Sequence, residues 1–221
     1  MQSMYLKKTN LTSAGTITVE STTGGTSVGI YSVESTAATP ITGSINVSGG
    51  LGGVGLFLND SSMVNNAAIT VDNVTSGAGI YAEGTAISST GTNTNTISIG
   101  DNVTGMFGVG AGLSTGTVTN SGTIQSLTTS ANKAIGMYIG SNGIGNNSGN
   151  IYLTAVGTNK DQVGVYNAGT FNMTGGNIEV FSQNGAGLYA TGTANLSGGT
   201  IKTGNGAIGL YSDGTTINLS G

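Results

Sequence analysis

Side chains able to do chemistry are scarce in these 221 residues. The chain has no His, no Cys and no Arg; its charge comes from five Lys and nine acids. Without imidazole or thiolate there is no Ser/His/Asp set, no Cys nucleophile and no His or Cys metal site. Carboxylate chemistry remains. Glu34, Asp60 and Glu83 fall two or three residues past an aromatic residue in three successive repeats. On neighbouring strands such groups stand about 5 Å apart. That spacing suits a paired-carboxylate hydrolase or an oxygen-liganded Ca²⁺. The preferred reading makes them a solvated turn, because no Lys falls in register to complete a polysaccharide lyase. Catalysis is therefore not expected, nor is a cofactor. A second charged group, Lys133, Lys160 and Asp161 with Asn159, falls in 128–133 and 154–162, where the repeats differ in length. It is the candidate recognition patch.

These residues need something to position them, and one short motif recurs often enough to do it. An apolar residue, Gly, an aliphatic residue and an aromatic follow one another at Val28-Gly29-Ile30-Tyr31. The motif returns with its aromatic at Phe57, Tyr81, Phe107, Tyr138, Tyr166, Tyr189 and Tyr211. An imperfect copy ends at Tyr5, with Ser3 in the Gly slot. Steps between successive Gly slots are 26, 26, 24, 26, 31, 28, 23 and 22 residues. Periods of about 20–50 residues signal a repeat architecture. The residues flanking the Gly share a face by strand alternation. Being mostly aliphatic, they are expected to point inward. Gly and the aromatic are then expected to face outward, each ring partly covering a bare Gly, with the opposite facing, rings inward, as the alternative. Rings stacked from coil to coil are read as mainly structural, at about 0.5–1.5 kcal/mol per pair.

Between motifs lie short alternating strands such as Thr16-Ile17-Thr18-Val19-Glu20 and Thr96-Ile97-Ser98-Ile99, bounded by Gly, Asn, Ser and Thr turns. Later coils add a third strand, as in Thr170-Phe171-Asn172-Met173 before Gly175-Gly176. No helical periodicity appears. Three strands per coil predict an all-β, right-handed parallel β-helix of about eight coils with about 25 residues each. Propeller blades would need about 40–45 residues. The two G-x-G-x-x-G strings, ending at Gly55 and Gly209, precede no helix and are not read as dinucleotide sites. The distance from aromatic to the later Ile is 12 residues in four coils (from Tyr5, Phe57, Tyr166 and Tyr189), but 16 from Tyr81 to Ile97 and 17 from Phe107 to Ile124. The resulting excursions, 83–95 and 110–121, are expected side by side.

The net charge of −4 argues against nucleic acid, which wants a basic face. No apolar run is long enough to cross a membrane. Residues 1–20 lack an uninterrupted apolar stretch, and both ends stand inside the repeat. Residues 1–221 are accordingly read as one solenoid, an internal piece of a longer chain.

The G-[V/A/I]-G-[I/L/M]-Y-like motifs combined with N-x-S-G-x-I strands resemble the passenger domains of large Gram-negative autotransporter adhesins, most of all the very long fusobacterial type. The resemblance implies a surface-exposed, extracellular adhesin or stalk, a virulence factor in such families. It implies anchoring at the outer membrane through a C-terminal barrel that this chain does not contain. It also implies a host-cell or bacterial surface receptor, glycan or protein, as partner of the parent. It transfers no binding residue. The alternatives are a carbohydrate-active β-helix enzyme built on Glu34, Asp60 and Glu83, and a purely structural spacer.

Overall fold

In the computed structural model, residues 2–11, 15–22, 24–37, 39–127, 132–154 and 161–220 are described. All regular structure among them is β, and every strand pairing is parallel. The strands stack as a solenoid of eight coils and the start of a ninth, each coil contributing to three walls. The first wall is the motif sheet: Gln2–Lys7, Thr26–Val33, Gly52–Asn59, Ser76–Gly84, Val103–Gly110, Ile135–Ile139, Val163–Asn167, Ala186–Ala190 and Ile208–Ser212, in that order. The second wall starts from very short strands, Asn10–Leu11 and Thr36–Ala37. It lengthens through Ser62–Asn65, Ser89–Asn93, Gly116–Asn120 and Gly143–Asn147. The third wall is Thr16–Glu20, Ser44–Ser48, Ala68–Asp72, Thr96–Ile99, Thr123–Ser126 and Asn150–Leu153. In coils seven and eight, Thr170–Val180 and Thr193–Thr203 run through both of these walls without a break. They bend at Gly176 (φ 73°) and Gly199 (φ 91°), where only glycine is comfortable. The third strand is thus present in every full coil, not only in the later ones.

The core is made of columns. Ile17, Ile45, Ile69, Ile97, Ile124, Ile151, Ile178 and Ile201 stand in register up the third wall. Facing them from the first wall are Ile30, Leu56, Ile80, Met106, Met137, Val165 and Leu188, all fully buried. β-Branched side chains suit such a pleated, stacked surface.

The motif's facing differs from the alternation-based expectation. Its glycine points into the core, together with the aliphatic residue that follows. A Cβ on Gly29 would lie 2.5 Å from Ile45 Cγ2 and 2.6 Å from the Gly55 carbonyl oxygen. The same two obstacles meet Gly55, Gly79, Gly105, Gly136, Gly164 and Gly187, each against its own coil's isoleucine and the next coil's glycine. None of these glycines has positive φ, so space, not backbone conformation, selects them. Alternation resets between the glycine and the next residue, and the residue before the glycine turns outward. Val28, Ala78 and Ala186 are buried yet stand apart from the core cluster. Val54, Ala78 and Thr104 line one surface groove with Tyr81 and Phe107. The rings do face outward, as expected, but they flank this row and leave the glycines to the interior.

Candidate functional site

The rings form one continuous ladder. All nine, from Tyr5 to Tyr211, stack on their neighbours with centroids 4.5–5.5 Å apart and planes within 24° of parallel. Most are half-buried. Because each ring face lies against the next ring, the ladder shows its edges to solvent along its length. Burial pushes the Tyr81 hydroxyl pKa up, with the nearby Glu83 carboxylate adding to it. Burial, then Tyr166, does the same for Tyr138. Tyr189 is likewise raised, by desolvation first and then by Tyr211, Asp213 and Tyr166.

The acid column separates into two. Lys8, Glu34 and Asp60 occupy one corner position in three successive coils, all with left-handed backbone (φ 50°, 48° and 50°). Their amides continue the coil-to-coil ladder, donating to Val33, Asn59 and Glu83 carbonyls. Glu83 belongs one position earlier, in register with Asn59 and Val109. Contrary to the expectation that no Lys falls in register with these acids, Lys8 does, and it pairs with Glu34 at 3.1 Å, an exposed contact of small energetic worth. Asp60 departs from the expected solvated turn, being only 6% exposed. Its carboxylate accepts from the Thr85 amide (2.7 Å), the Thr85 hydroxyl (2.7 Å), the Ala86 amide (3.1 Å) and the Ile87 amide (3.2 Å). Burial raises its pKa, but these donors outweigh it and hold the pKa below the ordinary value of 3.8. Asp60 is thus a staple for the 85–88 turn, with its oxygens engaged. Among the described residues no group of three or more acids could hold a metal ion.

Lys133 is exposed, with φ 52°, and Asp161 is half-buried, with φ 43°. Asn159 and Lys160 lie outside the described residues, as do 128–131 and 155–158, so the patch expected there is located only at Lys133 and Asp161.

The other pair of excursions is fully described and does lie side by side. Ser89–Asn93 and Gly116–Asn120 pair in register. Ahead of them, the corner between the first and second walls lengthens. It spans 60–61 in coil three, 85–88 in coil four and 111–115 in coil five. It then shortens to 140–142 and 168–169. The longer corners form a ridge tipped by exposed Ile87 and by Leu113, which is 103% exposed. The Leu113 turn is pinned on every side. Ser114 donates its amide to Ala111 O, and Ala111 donates its own to Gly84 O. The Asn142 side-chain amide reaches Gly112 O at 3.1 Å. The Thr115 amide donates to the Ser88 hydroxyl at 3.1 Å. Where the corner shortens, the ridge drops to a step, leaving an open cleft of about 520 Å³ between Leu113 and the coils beyond.

Two asparagine columns went unrecognised in the sequence. Asn65, Asn93, Asn120 and Asn147 are buried at the corner between the second and third walls. Each side-chain amide donates to the next Oδ1, at 3.2, 3.0 and 2.9 Å. The column ends against Ile41 on one side and Met173 on the other. On the outer face of the second wall, Asn146, Asn172, Asn195 and Asn218 form a column of the opposite sense, each side-chain amide donating to the preceding Oδ1 at 2.7–2.9 Å. The signal for the buried column was its spacing of 28, 27 and 27 residues.

No family model, no curated protein and no solved structure matches the chain.

Proposed function

We propose that the chain is a length of surface-projecting rod from a bacterial adhesin of the autotransporter-passenger kind, acting by reach and contact without catalysis. The observation that supports this most is the unbroken parallel stack. Core columns and nine rings run through every coil, which gives a rod of roughly 40 Å over eight coils at about 4.8 Å each. Such a solenoid couples each coil to its neighbours alone and extends by adding coils. Two of the three acids that offered a hydrolase have structural roles at the corner, Asp60 holding a turn and Glu34 holding Lys8, and Glu83 stands apart from them in the first wall. The receptor would be a host-cell or bacterial surface group, met by the parent protein outside the outer membrane. A pure spacer is the second reading, favoured by ring faces that stack on one another rather than facing a partner.

The test is labelling of intact producing cells with antiserum raised against the chain, followed by adherence assays with the derived Fab fragments. Labelling without permeabilisation, and adherence reduced by Fab, is the expected result. Labelling that requires permeabilisation, or turnover of a polysaccharide by the purified chain, would overturn the reading.

A further inference from the structure

The geometry points to a neutral oligosaccharide as the ligand of the cleft at the step below Leu113. The inference rests on the adhesin reading for its biological sense, and it names the partner chemistry of that rod.

Size comes first. A volume of about 520 Å³ sits within the range of about 300–1,000 Å³ typical of small-ligand sites. A stable protein partner would need a footprint of about 800 Å², far beyond what the step between three coils encloses. Charge comes next. The chain has nine acids and five Lys, yet none lines this cleft. An anionic or cationic ligand finds no counter-charge there. The lining instead sets uncharged donors and acceptors, Ser141, Asn142 and Thr170, beside the aliphatic side chains of Leu113 and Ile144. A hexose presents the matching pair of features, hydroxyls around its rim and a C–H face.

Backbone chemistry argues against an extended peptide. Strand addition needs free main-chain donors and acceptors. Here Gly143 N bonds Gly140 O, Gly140 N bonds Gly108 O and Ala168 N bonds Ile139 O, so the floor is engaged by its own coils. Preorganisation argues for a site rather than a stray protrusion. Leu113 is held out by a turn fixed through Ser114, Ala111, Asn142 and Thr115. Little ordering is left for a ligand to impose, and that lowers the cost of binding. The Asn142 amide nitrogen holds Gly112 O, leaving the carboxamide oxygen to accept from a ligand hydroxyl.

The experiment presents the purified 221-residue chain to an array of neutral oligosaccharides and of sialylated and sulfated ones. Leu113→Ser and Ser141→Trp are run in parallel. Both positions are exposed, and thermal melts confirm that both variants fold. Neutral glycans should bind. Losing the Leu113 contact should weaken binding about tenfold, the worth of one partly buried aliphatic side chain. Ser141→Trp, which fills the cleft, should reduce binding to background. Binding confined to acidic glycans, neutral binding that survives both substitutions, or no glycan binding would each overturn the inference. Beads coated with the chain distinguish this failure from failure of the adhesin reading. Adherence that persists on enzymatically deglycosylated cells removes the sugar and keeps the adhesin; Fab that leaves adherence unchanged removes the adhesin itself.

Discussion

Two neighbouring strips of this surface obey different rules. Along the first wall, rings repeat from Tyr5 to Tyr211 with little variation in spacing or tilt. At the adjoining corner, the connection changes from 60–61 to 85–88, 111–115, 140–142 and 168–169 over five coils. Both strips belong to the same stack, so the contrast lies in what stacking demands of each. A wall residue has a partner above and below in register, and any change is felt twice. The corner connection keeps partners in register near its strand ends, as Asp60 does, and between them its length is free to vary. The wall holds the rod together, and the corner is where the rod can acquire a contact.

Breaking a column should therefore cost most, and the cost should fall toward the ridge tip. Asn93→Leu removes donors and acceptors from a buried column. Asn65 loses its acceptor, Asn120 its donor, and the Asn95 amide and carbonyl their partner. At about 1–3 kcal/mol per unpaired buried group, the loss should exceed about 3 kcal/mol in equilibrium denaturation. A loss under about 1 kcal/mol would mean the column relaxes around a gap.

Gly136→Ala should cost up to about 3 kcal/mol through overpacking. The added methyl meets Ile151 and a backbone oxygen of the next coil, and the latter cannot swing aside. Unchanged stability would contradict the inward facing of the motif glycine.

Asp60→Asn should cost about 2 kcal/mol by replacing charge-assisted bonds with weaker ones. The pH dependence has a definite sign. The carboxylate binds its proton less tightly in the folded chain, so its contribution is complete above the ordinary pKa of 3.8 and is lost as the pH falls below it. Melting of the native chain should drop across that acid range, and the variant should show a shallower drop.

Tyr138→Ser should cost about 1–2 kcal/mol, because it breaks two stacked pairs, while Tyr5→Ser breaks one and should cost about half as much. The raised pKa values of Tyr81 and Tyr138 mean that the contribution of their neutral hydroxyls is complete below the ordinary value of 10.0 and is lost as the pH rises through their folded values. Alkaline melts check this. Leu113→Ser, at the ridge tip, should stay within about 0.5 kcal/mol of the native chain.

The sequence showed the wall better than the corner for the same physical reason. Period and strand type were legible because every coil repeats them: the isoleucines from Ile17 to Ile201 and the aromatics from Tyr5 to Tyr211 fall at matching places. The facing of the glycine was not. Strict alternation put Gly29 on the outside, whereas the strand resets its alternation just after it so that Ile45 can fill the space. Glu34, Asp60 and Glu83 looked like a column of chemistry, but Glu83 stands one position earlier, and what Glu34 and Asp60 share, with Lys8, is a left-handed backbone at the corner, a property that side-chain type hides. The buried asparagines looked like turn residues. They do make the turn, as Asn65 shows by bonding the Ala67 carbonyl and amide, and in the same place they bond one another. The step at Leu113 was foreshadowed by the longer spacing from Phe107 to Ile124, though its cleft depends on the short corners of the next two coils.

If the wall supplies stability and the step supplies the proposed contact, the two can be separated by mutation. Bead adherence to cells, measured beside melting temperature for Tyr138→Ser, Leu113→Ser and Ser141→Trp, tests it most directly. Tyr138→Ser should lower the melting temperature and keep adherence, and the two step variants should do the reverse. Adherence lost in folded Tyr138→Ser and unchanged in both step variants would contradict it and move the contact to the aromatic wall.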